Sequence, residues 1–341
     1  MSAKQKRTAA RKAAAAHKAA VHAAADLQAG IPVSFRVPSS DGIHQLACYR
    51  VDPEGTPVAL FQICHGMCEY FGRYLPFARY LASHGYLVFG HDHLGHGNTA
   101  TSPDELGFTV SGGGADCLVD DVSAVRKRMQ EEYPDLPVIL FGHSMGSFIA
   151  REVLARKGKK YVAAIICGTG GPDTPAGLGK AVARTIMLFR GERHRSGLLK
   201  KMAFLGYNKK YERGCPANAW LSRDEALIRK YDNDPFCQFT FTVRAYDDLF
   251  TLVQWVSSFD WAEKLPRRLP CLVTSGEMDP VGGWGDGPRA VAERMVLSGM
   301  TEVTLRMWKD MRHEILNEIG KEEVWEDILL WSDKQLPEPV V

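Results

Sequence analysis

The chain has 341 residues, 45% of them apolar, and a formal net charge of +2, enough to bury a large core as one big domain or two smaller ones. No apolar run is long enough to cross a bilayer, the longest being strand-length pieces such as VAAIIC at 162–167, which excludes a transmembrane protein. Eight cysteines, scattered from Cys48 to Cys271, form no Cys-x-x-Cys pair, and Cys64, Cys167 and Cys271 sit inside apolar runs; that usage fits a reducing compartment, and a cytoplasmic location is expected.

Residues 1–30 form a basic, alanine-rich tail in which Lys4, Lys6, Arg7, Arg11, Lys12 and Lys18 are opposed only by Asp26. His17, Lys18 and His22 interrupt the alanine runs, so the apolar stretch of a signal peptide is missing. The segment reads as a solvated, helix-prone tail, or as a surface helix drawn to anionic lipid. With no aromatic residue interleaved, nucleic acid is not expected as a partner.

From residue 31 to 341 the pattern is that of one domain. Strands are predicted at 33–37, 45–51, 58–66, 87–92, 137–144, 161–169, 270–279 and 301–308, with helix-period segments between them. The first two meet in an SSDG turn at 39–42 and should pair as a hairpin. Later strands are rich in Val, Ile and Leu with little alternation, as in a parallel sheet covered on both faces. Beyond Asp116, the spacing of Leu118, Val122, Val125 and Met129 places them along one stripe of an amphipathic helix. The fold class is α/β, a mostly parallel sheet with helices on both faces.

Strand 137–144 runs through VILFGHSMGS straight into a helical GSFIAREVLARK, which is the strand, sharp turn and helix that G-x-S-x-G requires. Gly142 and Gly146 suit a turn with no room for a Cβ, and Ser144 would project above the strand end, where ligands enter an open α/β sheet. A serine there could also simply cap the helix. As a nucleophile it needs a base and an acid farther along. His313, in WKDMRHEILNE, is the histidine near the end of a late strand, with a helix expected from about Ile315; His194 lies in a basic, loop-like insertion. Asp279, in SGEMDPVGG, is the acid expected at a strand end, with Glu277 and Asp310 as rivals.

These segments resemble the α/β-hydrolase superfamily, specifically its monoacylglycerol lipase and lysophospholipase branch, also grouped with the serine aminopeptidase type. The resemblance rests on HGMCEYFGRY (65–74), HDHLGHG (91–97), GHSMGS (142–147), YDNDPF (231–236), GEMDPVG (276–282) and MRHEILNE (311–318). It implies an eight-stranded hydrolase sheet with a helical cap, Ser144 as nucleophile, Asp279 as orienting acid and His313 as base, with backbone N–H groups of Met67 and Met145 as oxyanion hole. It implies no cofactor. The family often reads H-G-x-G-E-H, whereas Cys68 and Tyr70 stand at the second glycine and second histidine.

His91, His93 and His96 have a spacing found in some dinuclear metal hydrolases, but Gly95 occupies the position of the aspartate such sites use, so a turn with His96 near the pocket is expected and no metal. Gly112 to Gly114 lack the lysine of a phosphate loop, and His143 should pack behind the serine turn. The cap insertion is placed at about 172–246, where cations between Arg184 and Arg213 outnumber Glu192 and Glu212 and alternate with IMLF, LL and MAFL. It reads as a helical cap, or as a lid that meets lipid surfaces. The expected activity is hydrolysis of monoacylglycerol or lysophospholipid esters through an acyl-enzyme. An aminopeptidase, and a non-catalytic binding protein of this fold, are the alternatives.

Overall fold

Eight apolar runs become β1 (Val33–Pro38), β2 (Gln45–Val51), β3 (Ala59–Cys64), β4 (Tyr86–His91), β5 (Val138–His143), β6 (Ala163–Cys167), β7 (Cys271–Gly276) and β8 (Val303–Trp308). In the computed structural model, which describes residues 32–172 and 176–337, they form one sheet in the order β1-β2-β4-β3-β5-β6-β7-β8. The reading of residues 1–30 lies outside the described residues. β1 and β2 pair antiparallel from Val33 opposite Arg50 to Pro38 opposite Gln45, the hairpin that the SSDG turn calls for. β2 is antiparallel to β4, and every later pairing is parallel. Parallel strands put their C-terminal ends on one edge, so the loops after β3, β5, β7 and β8 share it.

Among the described residues, nine helices connect the strands: α1 (Leu75–Ala82), α2 (Gly114–Glu132), α3 (Met145–Lys157), α4 (Ala176–Arg190), α5 (Gly197–Ala203), α6 (Glu225–Asp232), α7 (Val243–Ser257), α8 (Asp286–Leu297) and α9 (Lys321–Asp333). The strand period of two decides which side each residue serves. On β3, Leu60 and Cys64 face a core shared with Leu118, Val122, Val125 and Met129 of α2 and with α3 and α7. Phe61 and Ile63 face the other core, with Phe77 and Leu81 of α1 and Val324 and Ile328 of α9. Burying each such side chain contributes roughly 1.5–3 kcal/mol before entropy is counted. Gln62, buried between them, donates from Nε2 to Val122 O at 2.8 Å, so its amide is satisfied inside the core.

The helix expected from about Ile315 begins later, at Lys321, after a single 3₁₀ turn, Ile315–Asn317. The reason is Glu318: its buried carboxylate accepts the backbone N–H groups of Arg312, Ile319 and Arg223, which holds the chain in a loop that a helix would have to abandon. Helices α4 to α7 all lie between β6 and β7, and α7 packs against α3 beneath and α4 above.

At the β5–α3 junction the backbone passes close to β3. A Cβ on Gly146 would sit 2.2 Å from Cys64 O and 2.5 Å from His65 O, and one on Gly142 would sit 2.3 Å from Gly146 O. Both obstacles are backbone, which cannot rotate away. Gly146→Ala is therefore expected to lower stability by about 2–3 kcal/mol, read as a reduced urea midpoint at unchanged slope.

Candidate active site

Ser144 joins β5 to α3 with φ 55° and ψ −122°, a conformation an L-residue holds only when its surroundings impose it. They do so here: Ser144 N–H donates to Cys167 O at 3.0 Å, and Ser144 O accepts from Ser147 N at 2.9 Å and Ser147 Oγ at 2.5 Å. The side chain faces a cavity of about 790 Å³. Met145, the first residue of α3, brings an N–H that has no acceptor within its own helix to the same wall.

His313 reaches this cavity because Gly276, the last residue of β7, has no side chain: a Cβ there would lie 2.2 Å from Met311 O and Arg312 O. The His313 Nδ1–H donates to Asp279 Oδ2 at 2.9 Å. Asp279 is completely buried, and its carboxylate also accepts from Ser275 Oγ at 3.1 Å and Val281 N at 2.8 Å. Burial pushes this carboxyl up, but the His313 imidazole and those donors outweigh it and hold it below its ordinary value. An ionised carboxylate only accepts, so Nδ1 carries a ring proton, and in the neutral imidazole the lone pair is then on Nε2. His313 Nε2 is buried and has no hydrogen-bond partner among the described residues. The rivals stand apart: Glu277 is part-exposed with Arg289 at 3.9 Å, and Asp310 is exposed.

The loop after β3 carries Met67 to the cavity wall. Cys68, where the related pattern has glycine, adopts φ 53°, and the departure is absorbed by two contacts from residues 231–239: Tyr231 Oη donates to Cys68 O at 3.1 Å and Cys68 Sγ to Phe239 O at 3.4 Å. Tyr70, at the second histidine position, donates from Oη to Asp234 at 2.9 Å. The same segment thus occupies both departures.

Behind the site lies a group that motif reading missed. Arg73 donates to Glu69 at 2.9 Å and to both oxygens of Glu314 at 2.7 Å, all three side chains being nearly buried. Glu69 Oε1 accepts from Gly66 N at 2.5 Å and Tyr74 Oη at 2.7 Å, and lies 3.3 Å from His143 Nδ1. His143 Nε2 is 3.2 Å from His313 O. Burial pushes the His143 imidazole down, but its bond to Glu69 outweighs this and raises it above its ordinary value. The signal available in the sequence was the Glu69/Arg73 spacing of four, which carries no hint of the distant Glu314.

Residues 211–223 strap the two loops that carry Asp279 and His313. His313 N donates to Trp220 O at 3.2 Å, Glu314 N to Leu221 O at 2.8 Å and Arg312 Nη1 to Ala219 O at 2.6 Å, while Tyr211 Oη donates to Met278 O at 2.6 Å. The Trp220 ring lies 5.0 Å from that of His313.

The histidine triplet makes no metal site. His91 Nε2 and His93 Nδ1 are 3.1 Å apart, His93 Nε2 donates to His65 O, and His65 Nε2 accepts from His93 N at 2.9 Å. Burial lowers His65 and His91 to about 3 and His96 to about 4, so these rings are neutral struts between two loops. His96 packs on Phe239 and Phe241, one layer behind the cavity wall. No group of three or more His, Cys, Asp or Glu side chains able to hold a metal ion occurs among the described residues.

The cavity is lined largely by apolar side chains, including Phe148, Phe204, Leu249, Phe250 and Val253. Tyr246, Leu249, Phe250 and Val253 follow one face of α7, at the spacing that points a helix stripe in one direction.

A strained serine at a strand end, a carboxylate–imidazole pair from the next loops of a mostly parallel sheet, and a helical layer above them define an α/β-hydrolase. The family described as serine aminopeptidase, S33, matches residues 55–320, and the chain belongs to it. Human monoglyceride lipase is 42% identical over 112 residues, 33% of this chain and 35% of that protein, so this match spans about a third of the relative. Mouse monoglyceride lipase is 27% identical over 286 residues, 82% of this chain and 83% of that one. A thermostable carboxyl esterase from Bacillus coagulans, solved with glycerol, superposes with a TM-score of 0.84 at 30% identity, covering 91% of this chain and 100% of the other.

Removing the Arg73 charge leaves two buried carboxylates facing each other. Arg73→Met is expected to cost about 3–5 kcal/mol in chemical denaturation, with Arg73→Lys, which keeps the charge but loses the bidentate fork, falling between it and the parent.

Proposed function

We propose that the protein is a serine hydrolase that cleaves carboxylic esters of single-chain lipids, monoacylglycerols or lysophospholipids, through an acyl-enzyme. The observation that carries the reading is His313: its Nδ1 is held by Asp279 at 2.9 Å while its Nε2 is buried and unpartnered on the wall of the cavity that Ser144 also lines. In the proposed reaction Ser144 Oγ attacks the ester carbonyl as His313 Nε2 takes its proton. Charge gathers on the carbonyl oxygen, where the N–H groups of Met67 and Met145 meet it; one such donor is worth about 3 kcal/mol of barrier. His313 returns the proton to the departing alcohol. It then deprotonates a water that attacks the acyl-serine and passes that proton to Ser144 Oγ as the acyl C–O bond breaks, so that the fatty acid leaves and the serine is restored. Asp279 keeps the ring in the productive tautomer and stabilises the transient imidazolium.

The substrate class follows from the lining. A cavity of about 790 Å³ walled largely by apolar side chains suits one acyl chain. An aminopeptidase would need a carboxylate for the substrate ammonium, yet the two acids on the wall, Glu69 and Glu314, are both bound to Arg73. Residues 172–246 act in this reading as the cap. It exposes Leu178, Leu188 and Phe189 among basic residues, a combination suited to peripheral contact with lipid. No helix among the described residues is long and apolar enough to cross a membrane.

Ser144→Ala is expected to abolish ester hydrolysis and labelling by a fluorophosphonate probe. Asp279→Asn should lower kcat by about 10⁴, whereas Glu277→Gln and Asp310→Asn retain parental kcat; the reverse pattern would reassign the acid. Turnover of an aminoacyl p-nitroanilide in preference to a monoacylglycerol would favour the peptidase. Leu188→Ser with Phe189→Ser should reduce co-sedimentation with phosphatidylglycerol vesicles and spare hydrolysis of a soluble short-chain ester.

A further inference from the structure

Five ionisable side chains other than histidine, cysteine and tyrosine line the cavity: Glu69, Glu314, Lys200, Lys201 and Lys209. The two acids are buried and both are paired with Arg73. The lysines are different. All are exposed, on α5 and the turn after it, and among the described residues Lys200 and Lys201 make no ion pair or side-chain hydrogen bond. Lys209 lies over the Trp284 ring at 4.2 Å, a contact that leaves its charge unneutralised, and Lys210 lies over the same ring at 4.4 Å. The field extends inward. Lys200 shares the cavity wall with Met67 and Cys68, and it is foremost among the charges opposing the rise that burial gives the Cys68 thiol. The wall of this cavity also holds the buried Tyr246 hydroxyl, which has no partner among the described residues and is free to donate to an acceptor oxygen.

A neutral glycerol head group gains nothing from three uncompensated cations, whereas an anionic one gains attraction on approach and charge-assisted hydrogen bonds on arrival. We infer that the cavity selects single-chain esters whose head group carries a net negative charge on a phosphodiester over neutral monoacylglycerols, with Lys200, Lys201 and Lys209 meeting the head group. This rests on the lipid-ester reading above. Because the lysines are exposed, the preference is screened by salt, over a Debye length of about 8 Å at physiological ionic strength.

The test compares octanoyl lysophosphatidylglycerol with octanoylglycerol, both below their micelle concentrations so that no charged surface forms. The readout is the ratio of their kcat/KM values. At low ionic strength the parent protein is expected to favour the phosphodiester by about tenfold, the ratio falling towards one in high salt. In Lys200→Glu with Lys201→Glu it should drop by about tenfold or more. A parental ratio at or below one, or an unchanged ratio in a variant that keeps its thermal transition, would overturn the inference. Should the reversed variant fail to fold, Lys200→Gln with Lys201→Gln is read by the same criterion. Cleavage of p-nitrophenyl butyrate with turnover of neither lipid would instead overturn the lipid-ester reading, and this inference with it.

Discussion

The guanidinium of Arg73 is the tie on which the site depends. It belongs to the loop after β3, yet it binds both oxygens of Glu314, in the loop after β8, and one of Glu69 in its own loop. Burying three charges gives little net stability, because desolvation consumes most of the Coulombic gain. What the arrangement supplies is position. Glu69 fixes Gly66 N and so the path to Met67, and Glu314 follows His313 directly in the chain, so a fork between them sets the distance between the two loops. His143, adjacent to Ser144, completes the set by bridging Glu69 and His313 O. Two carboxylates, one guanidinium and one imidazole ring make a buried hydrogen-bonded group, with the serine and histidine loops hung on either side.

That scaffold explains where backbone strain can be kept. Four non-glycine residues among those described have positive φ: Cys68, Ser144, Trp284 and Asp310. They fall one each in the loops after β3, β5, β7 and β8, all at the same edge of the sheet. Such conformations cost of order 1–3 kcal/mol each and persist only where neighbours over-determine them. Ser144 has Cys167 O and Ser147 as its holders, and Cys68 has Tyr231 and Phe239. Elsewhere the sheet and its helices are regular, so the cost is confined to the edge where loops must turn sharply to aim side chains inward.

The eight strands, their hairpin and the Ser144, Asp279, His313 segments were legible because each is a local pattern: apolar runs of strand length, a glycine-flanked serine, and polar residues just past strand ends. The Arg73 clamp was not. Its members are separated by most of the chain, and a charged residue in a motif reads as solvated until its partner is known. The holders of Cys68 were equally hidden: its left-handed backbone is contacted by Tyr231 and Phe239, more than 160 residues away in the chain. The late start of α9 belongs with these: Leu316 is a good helix former, and the tertiary hydrogen bonds to Glu318 override its propensity.

The segment between β6 and β7 does more than roof the cavity. Trp220 and Leu221 accept the N–H groups of His313 and Glu314, Tyr211 holds Met278 beside Asp279, and Tyr231 and Phe239 hold Cys68. Three loops at the sheet edge therefore owe part of their geometry to a segment that also lines the cavity. Movement of residues 211–239 away from the sheet would release the His313 and Met67 loops together, so entry to the cavity and order at the reacting groups cannot be varied independently. A hydrolase gains from that coupling, because a wall that also holds the site's loops excludes bulk water while those loops are ordered.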